Sequence, residues 1–245
     1  MARSNRENFK TYKNVFDMHA ERILFKLSSE GHFDHLECPI FLGKEANVFT
    51  AEKADGELVI VKIYRLESCD FNRMYDYIKN DARFIGLNKR RREVIFSWCK
   101  REYRNLLKAR EANVKAPKPI AFKDNILVME FIGDNEGSPA LKLKDSAPKN
   151  KKALKEFFDE VIEDIIKLKK AGLVHGDLSE FNILNHNNHP VLIDFSQGSP
   201  MKSSNADELL VRDIHNIVKF FCKNGLDIDE EEIRQKIGKV KVEAS

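Results

Sequence analysis

The spacing of apolar residues changes several times along the chain, and each change predicts an element. Phe9, Tyr12, Val15, Phe16, Ile23, Leu24 and Leu27 recur at helical intervals, which predicts an amphipathic helix over 7–27 ended by Gly31. Ile40-Phe41-Leu42 and Val48-Phe49 flank a short polar turn, a strand–loop–strand pattern. Asp55-Gly56 is a hairpin turn signal, and the β-branched run Leu58-Val59-Ile60-Val61-Lys62-Ile63-Tyr64 follows it as a strand. Helical spacing returns with Val94, Ile95, Trp98, Cys99, Tyr103, Leu106 and Leu107. Residues 120–122 and 126–132 predict a hairpin about Asp124-Asn125, broken by Gly133. Leu154, Phe157, Phe158, Val161, Ile162, Ile165 and Ile166 mark a long helix. Ile183-Leu184 and Val191-Leu192-Ile193 are two short buried strands joined at Asn187-Asn188. Leu209, Leu210, Ile214, Ile217, Val218 and Phe221 form another helix closed near Gly225. A last helix over 228–241 runs from acidic to basic residues, which suits its dipole.

Three segments follow: a helical one over 1–38, a strand-rich one over 39–132, and a mainly helical one over 133–245. The Gly, Ser and Pro content of 133–139 reads as the linker between the last two. Between the Lys62 strand and the next helix lies a connection over 67–92, long enough to suggest function; Phe71, Met74, Tyr75 and Ile78 give part of it helical spacing.

Composition narrows the class. At 245 residues, with 42% hydrophobic and 33% charged residues, the chain has ample core for one large domain or two lobes. A net charge of +3 does not by itself imply a polyanionic partner, so only local clusters matter. Two stand out: Lys89-Arg90-Arg91-Arg92, and the six lysines Lys142, Lys144, Lys149, Lys151, Lys152 and Lys155. Bare charge runs are usually solvated faces. Cys38, Cys69, Cys99 and Cys222 lack metal or redox spacing and read as reduced, mostly buried thiols of a cytoplasmic protein. His19, His32 and His35 form no metal pattern and read as surface or turn residues. No run of about 18 apolar residues predicts a membrane span.

Candidate chemistry concentrates in Leu-Val-His-Gly-Asp-Leu-Ser-Glu-Phe-Asn-Ile-Leu, residues 173–184, and in Ile193-Asp194-Phe195. His175, Asp177 and Asn182 lie in a loop before one short strand, and Asp194 ends the next. Phosphoryl transfer needs such a set: a carboxylate to orient the nucleophile, then an amide and a second carboxylate to hold Mg²⁺ on the triphosphate. The interval from Asp177 to Asn182 is the D-x-x-x-x-N of kinases. Lys62, inside a buried strand, requires a partner. Glu102 lies beside the apolar face of the helix that follows; Glu93, near the start of that helix, competes for the role. Gly43 permits close backbone approach and Lys44 adds charge, but neither phosphate-loop consensus is satisfied.

Assembled, the pattern resembles the RIO family of atypical serine/threonine protein kinases, in its type 1, archaeal form. The resemblance runs from about Ile23 to Phe221. It rests on Gly43-Lys44-Glu45-Ala46-Asn47-Val48, Val61-Lys62-Ile63-Tyr64-Arg65, Met129-Glu130-Phe131-Ile132-Gly133, the stretch from His175 to Asn182, and Ile193-Asp194-Phe195-Ser196-Gln197. It implies an α+β, two-lobed protein-kinase-like fold, with a small antiparallel-sheet N-lobe and a reduced, mainly helical C-lobe. It also implies ATP with Mg²⁺ or Mn²⁺. Residues 43–48 would form the phosphate loop, with Lys62 on the α- and β-phosphates held by Glu102. Adenine would meet the backbone of Glu130 and Ile132. Asp177 would be the catalytic carboxylate, Asn182 and Asp194 the metal ligands, and Asp194 the carrier of an aspartyl-phosphate.

The family is linked to maturation of the small ribosomal subunit, which makes the pre-ribosomal particle and its rRNA the implied partners and ATP hydrolysis or self-phosphorylation an implied activity. Departures from ordinary protein kinases point the same way. Gly176 stands where an Arg is usual, Ser196 replaces the Gly after Asp194-Phe195, and no Ala-Pro-Glu follows. Phe41-Leu42 stands where the family loop often begins Ser-Thr. Two other readings compete: a small-molecule kinase of the aminoglycoside or choline type, which shares the His-Gly-Asp core, and a non-catalytic, nucleotide-binding assembly factor.

Overall fold

A computed structural model describes residues 16–79, 81–134 and 136–243. The chain divides into two compact units. The first comprises Met1–Lys79, Arg83–Tyr103 and Lys118–Phe131; the second comprises Asn80–Ala82, Arg104–Pro117 and Ile132–Ser245.

The first unit is built on a five-stranded antiparallel sheet. Its strands are β1 (His35–Leu42), β2 (Ala46–Glu52), β3 (Leu58–Tyr64), β4 (Pro119–Lys123) and β5 (Ile126–Glu130), in the order β1-β2-β3-β5-β4. The β-branched run of β3 is central, and five of its seven residues lie opposite β5, from Val59–Glu130 to Ile63–Ile126. Strand alternation sends Phe49, Ala51, Val59, Val61 and Ile63 into a core with Leu24 and Leu27 of helix α1 (Met18–Ser29). Helix α1 starts later than the periodicity predicts: Asp17 caps it, its carboxylate accepting the Ala20 N–H at 2.7 Å, and Phe16 packs beneath it as part of the entering chain. Phe9, Tyr12 and Val15 lie outside the described residues.

The long connection contains a short helix, α2 (Phe71–Ile78), which buries Met74 and Ile78. Helix α3 (Arg91–Glu111) then begins within the basic run. That run is not simply a solvated face. Arg91 donates to the Leu66 and Glu67 carbonyls at 3.2 and 2.8 Å and its guanidinium lies over the Phe71 ring, while Lys89 lies over Tyr75.

In the second unit, helix α4 (Lys151–Lys170) is capped by Asn150 and buries Leu154, Phe157, Phe158, Val161, Ile162, Ile165 and Leu168. Phe157 and Phe158 meet Phe221 of helix α5 (Ala206–Lys223), with ring centroids 6.3 and 5.2 Å apart. Strands β6 (Leu141–Lys142), β8 (Ile183–His186) and β9 (His189–Leu192) form one small sheet; β7 (Leu173–Val174) and β10 (Ser199–Pro200) form another. Asn187 and Asn188 turn the β8–β9 hairpin, both with positive φ as a tight two-residue connection requires. Helix α6 (Glu230–Gly238) closes the chain, shorter than the predicted 228–241. Of the four thiols, Cys69 and Cys99 are buried but Cys38 and Cys222 are exposed, against the expectation of mostly buried cysteines. No described helix is long and apolar enough to cross a membrane.

Candidate active site

In the first unit, Lys62 is 7% exposed and meets Glu102 Oε1 at 2.8 Å. Burial of an ammonium requires such a partner. Glu93 is exposed to Arg90 instead, at 3.3 Å, which decides between the two candidate carboxylates. The sequence did not single out Tyr64. Two residues after Lys62, it shares that face of β3, and its hydroxyl donates to Glu102 Oε2. Each Glu102 oxygen therefore meets a donor. The period-2 pairing of Lys62 with Tyr64 was the available signal.

The loop residues separate into two groups. Gly43, Lys44 and Glu45 form the turn, with Gly43 N–H donating to the Ala46 carbonyl at 3.1 Å. A Cβ on Gly43 would stand 2.5 Å from the exposed Phe41 ring and 3.0 Å from that carbonyl, so a side chain there would have to displace the ring and press on the turn. Ala46, Asn47 and Val48 belong to β2 rather than to the loop. Val48 lies opposite Lys62 and shares its face, but Asn47 points the other way. Its buried amide lines a cavity of about 180 Å³ with Phe16, Ala20 and Asn125. The Asn47 side chain is thus turned away from Lys62, which leaves only its backbone to face a ligand beside that lysine. Backbone groups at the end of β5 are partly engaged. Glu130 N–H donates to Lys118 O at 2.8 Å, and in the second unit the Ile132 carbonyl accepts from Ala140 N–H at 2.9 Å.

In the second unit, Asn182 Nδ2 donates to the Asp177 carbonyl at 2.8 Å and to its Oδ2 at 3.3 Å. With the amide nitrogen so committed, Asn182 turns its oxygen to the other side. The Asn182 backbone carbonyl accepts from Ile193 N–H at 3.0 Å, and His175 Nε2 donates to the Ile193 carbonyl at 3.0 Å. These bonds tie the loop to the residue before Asp194. Asp194 adopts a left-handed backbone, φ 61° and ψ 65°, and its Oδ1 accepts from the Ser196 hydroxyl at 2.7 Å. Burial depresses the His175 pKa to about 4, so the imidazole is neutral with its proton on Nε2.

The firmest support of this loop comes from a residue outside every motif. Asp213, 1% exposed on α5, accepts Gly176 N–H at 2.7 Å and Leu178 N–H at 2.9 Å. Burial pushes its pKa up to about 7, with the two amide bonds and Arg212 pulling it back. Arg212 donates to the Gly176 carbonyl, and Asn216 to the Leu178 carbonyl at 3.1 Å. A carboxylate inside the stripe Leu209, Leu210, Ile214, Ile217 was the sequence signal for this clamp. Gly176 has φ +79°, and a Cβ there would lie 2.8 Å from the Gln197 carbonyl; a side chain at this position is excluded on both counts. Asn105 of α3, fully buried, donates to the carbonyls of Phe195 and Gly198, both at 2.8 Å, and so fixes the segment after Asp194.

The Asp194 carboxylate and the Asn182 amide oxygen are hard donors of the kind Mg²⁺ takes. Among known sequences, the profile of the RIO domain matches residues 47–233. The chain belongs to the RIO kinase family. The RIO-type serine/threonine-protein kinase Rio1 of Haloferax volcanii is 39% identical over 227 residues, covering 93% of this chain and 77% of the relative. The Rio1 kinase of Methanocaldococcus jannaschii is 39% identical over 232 residues, covering 94% and 78%. These relatives bear out the type 1, archaeal resemblance. A crystal structure of the Rio2 kinase–ADP/Mg²⁺–phosphoaspartate complex from Chaetomium thermophilum is similar in fold, with a TM-score of 0.66 at 20% identity, covering 94% of this chain and 69% of that one. The RIO chain described here therefore has the two-lobed, kinase-like α+β fold expected of it.

Proposed function

We propose that this RIO chain is a serine/threonine phosphotransferase and ATPase that uses Mg-ATP, modifies itself, and serves maturation of the small ribosomal subunit. The observation that carries the catalytic part is the hydrogen-bonded Asp177–Asn182 pair, on a loop bonded to the strand end that presents Asp194. Lys62, held by Glu102 and Tyr64, binds the α- and β-phosphates. Gly43, Lys44 and Glu45 approach the phosphates through the backbone. Adenine contacts fall to the Glu130 carbonyl and the Ile132 N–H, since their companion groups are engaged. Asn182 and Asp194 hold the divalent cation, Mg²⁺ or Mn²⁺, which neutralises phosphate charge when bound.

Asp177 orients an attacking hydroxyl, or the water of the second hydrolytic step, and receives its proton. In self-phosphorylation or transfer the attacker is that hydroxyl. In hydrolysis, a carboxylate oxygen of Asp194 attacks the γ-phosphorus, the bond to the β–γ bridging oxygen breaks, and ADP leaves. Water then cleaves the acyl-phosphate, releasing inorganic phosphate and restoring the carboxylate. The phosphoaspartate in the name of the Rio2 complex supports an aspartyl-phosphate in this scheme. The ribosomal role rests on the family alone; phosphate contacts to rRNA predict binding that weakens steeply with salt.

The test is incubation with Mg²⁺ and γ-labelled ATP alongside Asp177→Ala and Asp194→Asn. Label that hydroxylamine removes, and that Asp194→Asn never acquires, supports the acyl-phosphate route. Hydroxylamine-stable label that disappears in Asp177→Ala indicates self-phosphorylation on a hydroxyl without that route. Absence of both label and hydrolysis would overturn the catalytic reading in favour of a nucleotide-binding assembly factor.

A further inference from the structure

Strands β1 and β2 place a second set of metal-type ligands in the first unit. His35 lies directly opposite Glu52, and Glu37 follows His35 by two residues, on the same face of β1. The intervening pair, Leu36 and Ala51, faces the core under α1, so the three polar side chains share the opposite face. One ligand atom from each of His35, Glu37 and Glu52 lies within 4.8 Å of the other two.

The His35–Glu52 spacing suits a shared metal ion. His35 Nε2 and Glu52 Oε2 are 3.4 Å apart, long for a charge-assisted hydrogen bond. A tetrahedral zinc with bonds of about 2.0–2.2 Å sets neighbouring ligand atoms about 3.3–3.5 Å apart. An imidazole nitrogen with two carboxylate oxygens is a donor set zinc accepts, with water in the fourth position. The ladder fixes two ligands across the hairpin and one beside it, so little chain ordering is needed to close the site.

We propose that His35, Glu37 and Glu52 form a Zn²⁺ site that staples β1 to β2. Glu52 is four residues along β2 from Val48, which faces Lys62, a separation of roughly 13 Å at strand rise. The site is therefore separate from Lys62 and its phosphate contacts. Edge strand β1 would gain a cross-link at the end of the hairpin remote from Gly43. The motif was invisible along the sequence because Glu52 is brought to His35 only by strand pairing.

Zinc titration of the full chain against a chromophoric chelator tests this, with Co²⁺ absorption as a probe of geometry. One zinc per chain is expected, with the intense visible bands of tetrahedral Co²⁺. His35→Ala is expected to weaken binding by about tenfold or more, the scale set even by outer-sphere changes at zinc sites. Glu37→Gln and Glu52→Gln should each weaken it too. Zinc should raise the melting temperature of the parent chain and not that of His35→Ala. These half-exposed side chains leave folding intact, which circular dichroism verifies. Zinc affinity unchanged in His35→Ala, or lost in Cys38→Ser or Asp194→Asn while His35→Ala retains it, would overturn the assignment.

Discussion

Two groups of functional side chains are held in place by opposite means. In the first unit, Lys62 depends on other side chains: the Glu102 carboxylate, itself steadied by the Tyr64 hydroxyl. In the second, the loop carrying Asp177 is held largely through its backbone, with Asp213, Arg212 and Asn216 on one helix bonding to Gly176 and Leu178. A long flexible cation can be positioned by a charge at its tip. A short carboxylate can be aimed only by fixing the main chain from which it projects. The difference predicts where each region tolerates change.

The largest effect should come from releasing the main-chain clamp. Asp213→Ala leaves two buried N–H groups without acceptors and should lower stability by about 3–4 kcal/mol, read as a shift of the urea midpoint. Turnover should fall with it, because Asp177 loses its aim. If turnover fell while stability held, the clamp would be a catalytic device and not a structural one.

Next comes a hidden compensation. The folded pKa of His175 is about 4, below its unfolded value near 6.5, so its contribution to stability is complete above pH 6.5 and is lost as pH falls toward 4. Asp213 works in reverse. Its folded pKa of about 7 exceeds the unfolded value near 3.9, so its contribution is complete below about pH 4 and is lost as pH rises toward 7. Between pH 4 and 6.5 the two slopes oppose each other and nearly cancel. Asp213→Asn removes one side of the balance, and stability should then fall by about 3 kcal/mol from pH 6.5 to pH 4 relative to its own value at pH 6.5. Chemical denaturation across that range measures it; an unchanged pH slope in Asp213→Asn would count against the opposed titrations.

The smallest effect belongs to the side-chain tether. Tyr64→Phe removes one donor from Glu102 but leaves the Lys62 pair, and should cost about 1 kcal/mol. ATP affinity should drop a few-fold with kcat little changed. Equal losses in Tyr64→Phe and Asp213→Ala would erase the contrast between the two regions.

The chain's legibility follows the same division. The Asp177–Asn182 interval was readable because loop partners five residues apart meet whatever the rest of the fold does. Lys62 was readable because a cation in an apolar strand demands explanation, while the choice of Glu102 over Glu93 as its partner needed the observed ion pairs. Asp213 was not, since its role depends on a helix returning to a loop 35 residues earlier, and it looks like an interruption of an apolar stripe. Asn47 shows the converse. Lying next to Gly43–Glu45, it reads as part of the loop until strand pairing puts it on the other face. The N-terminal helix was placed early because apolar periodicity continued past Asp17, while the observed start is marked by the cap.

Cys99 offers an internal clock. Fully buried beside Glu102, with burial first and that carboxylate second raising its pKa well above the usual thiol value, it is inert in the closed first unit. Cys38 and Cys222 are exposed and react without any opening. In a Cys38→Ser, Cys69→Ser, Cys222→Ser background, the rate at which a thiol reagent reaches Cys99 counts the openings of the region around the Lys62–Glu102 pair. Nucleotide that binds there should slow that rate in proportion to its occupancy, giving a readout of binding that requires no phosphoryl transfer at all.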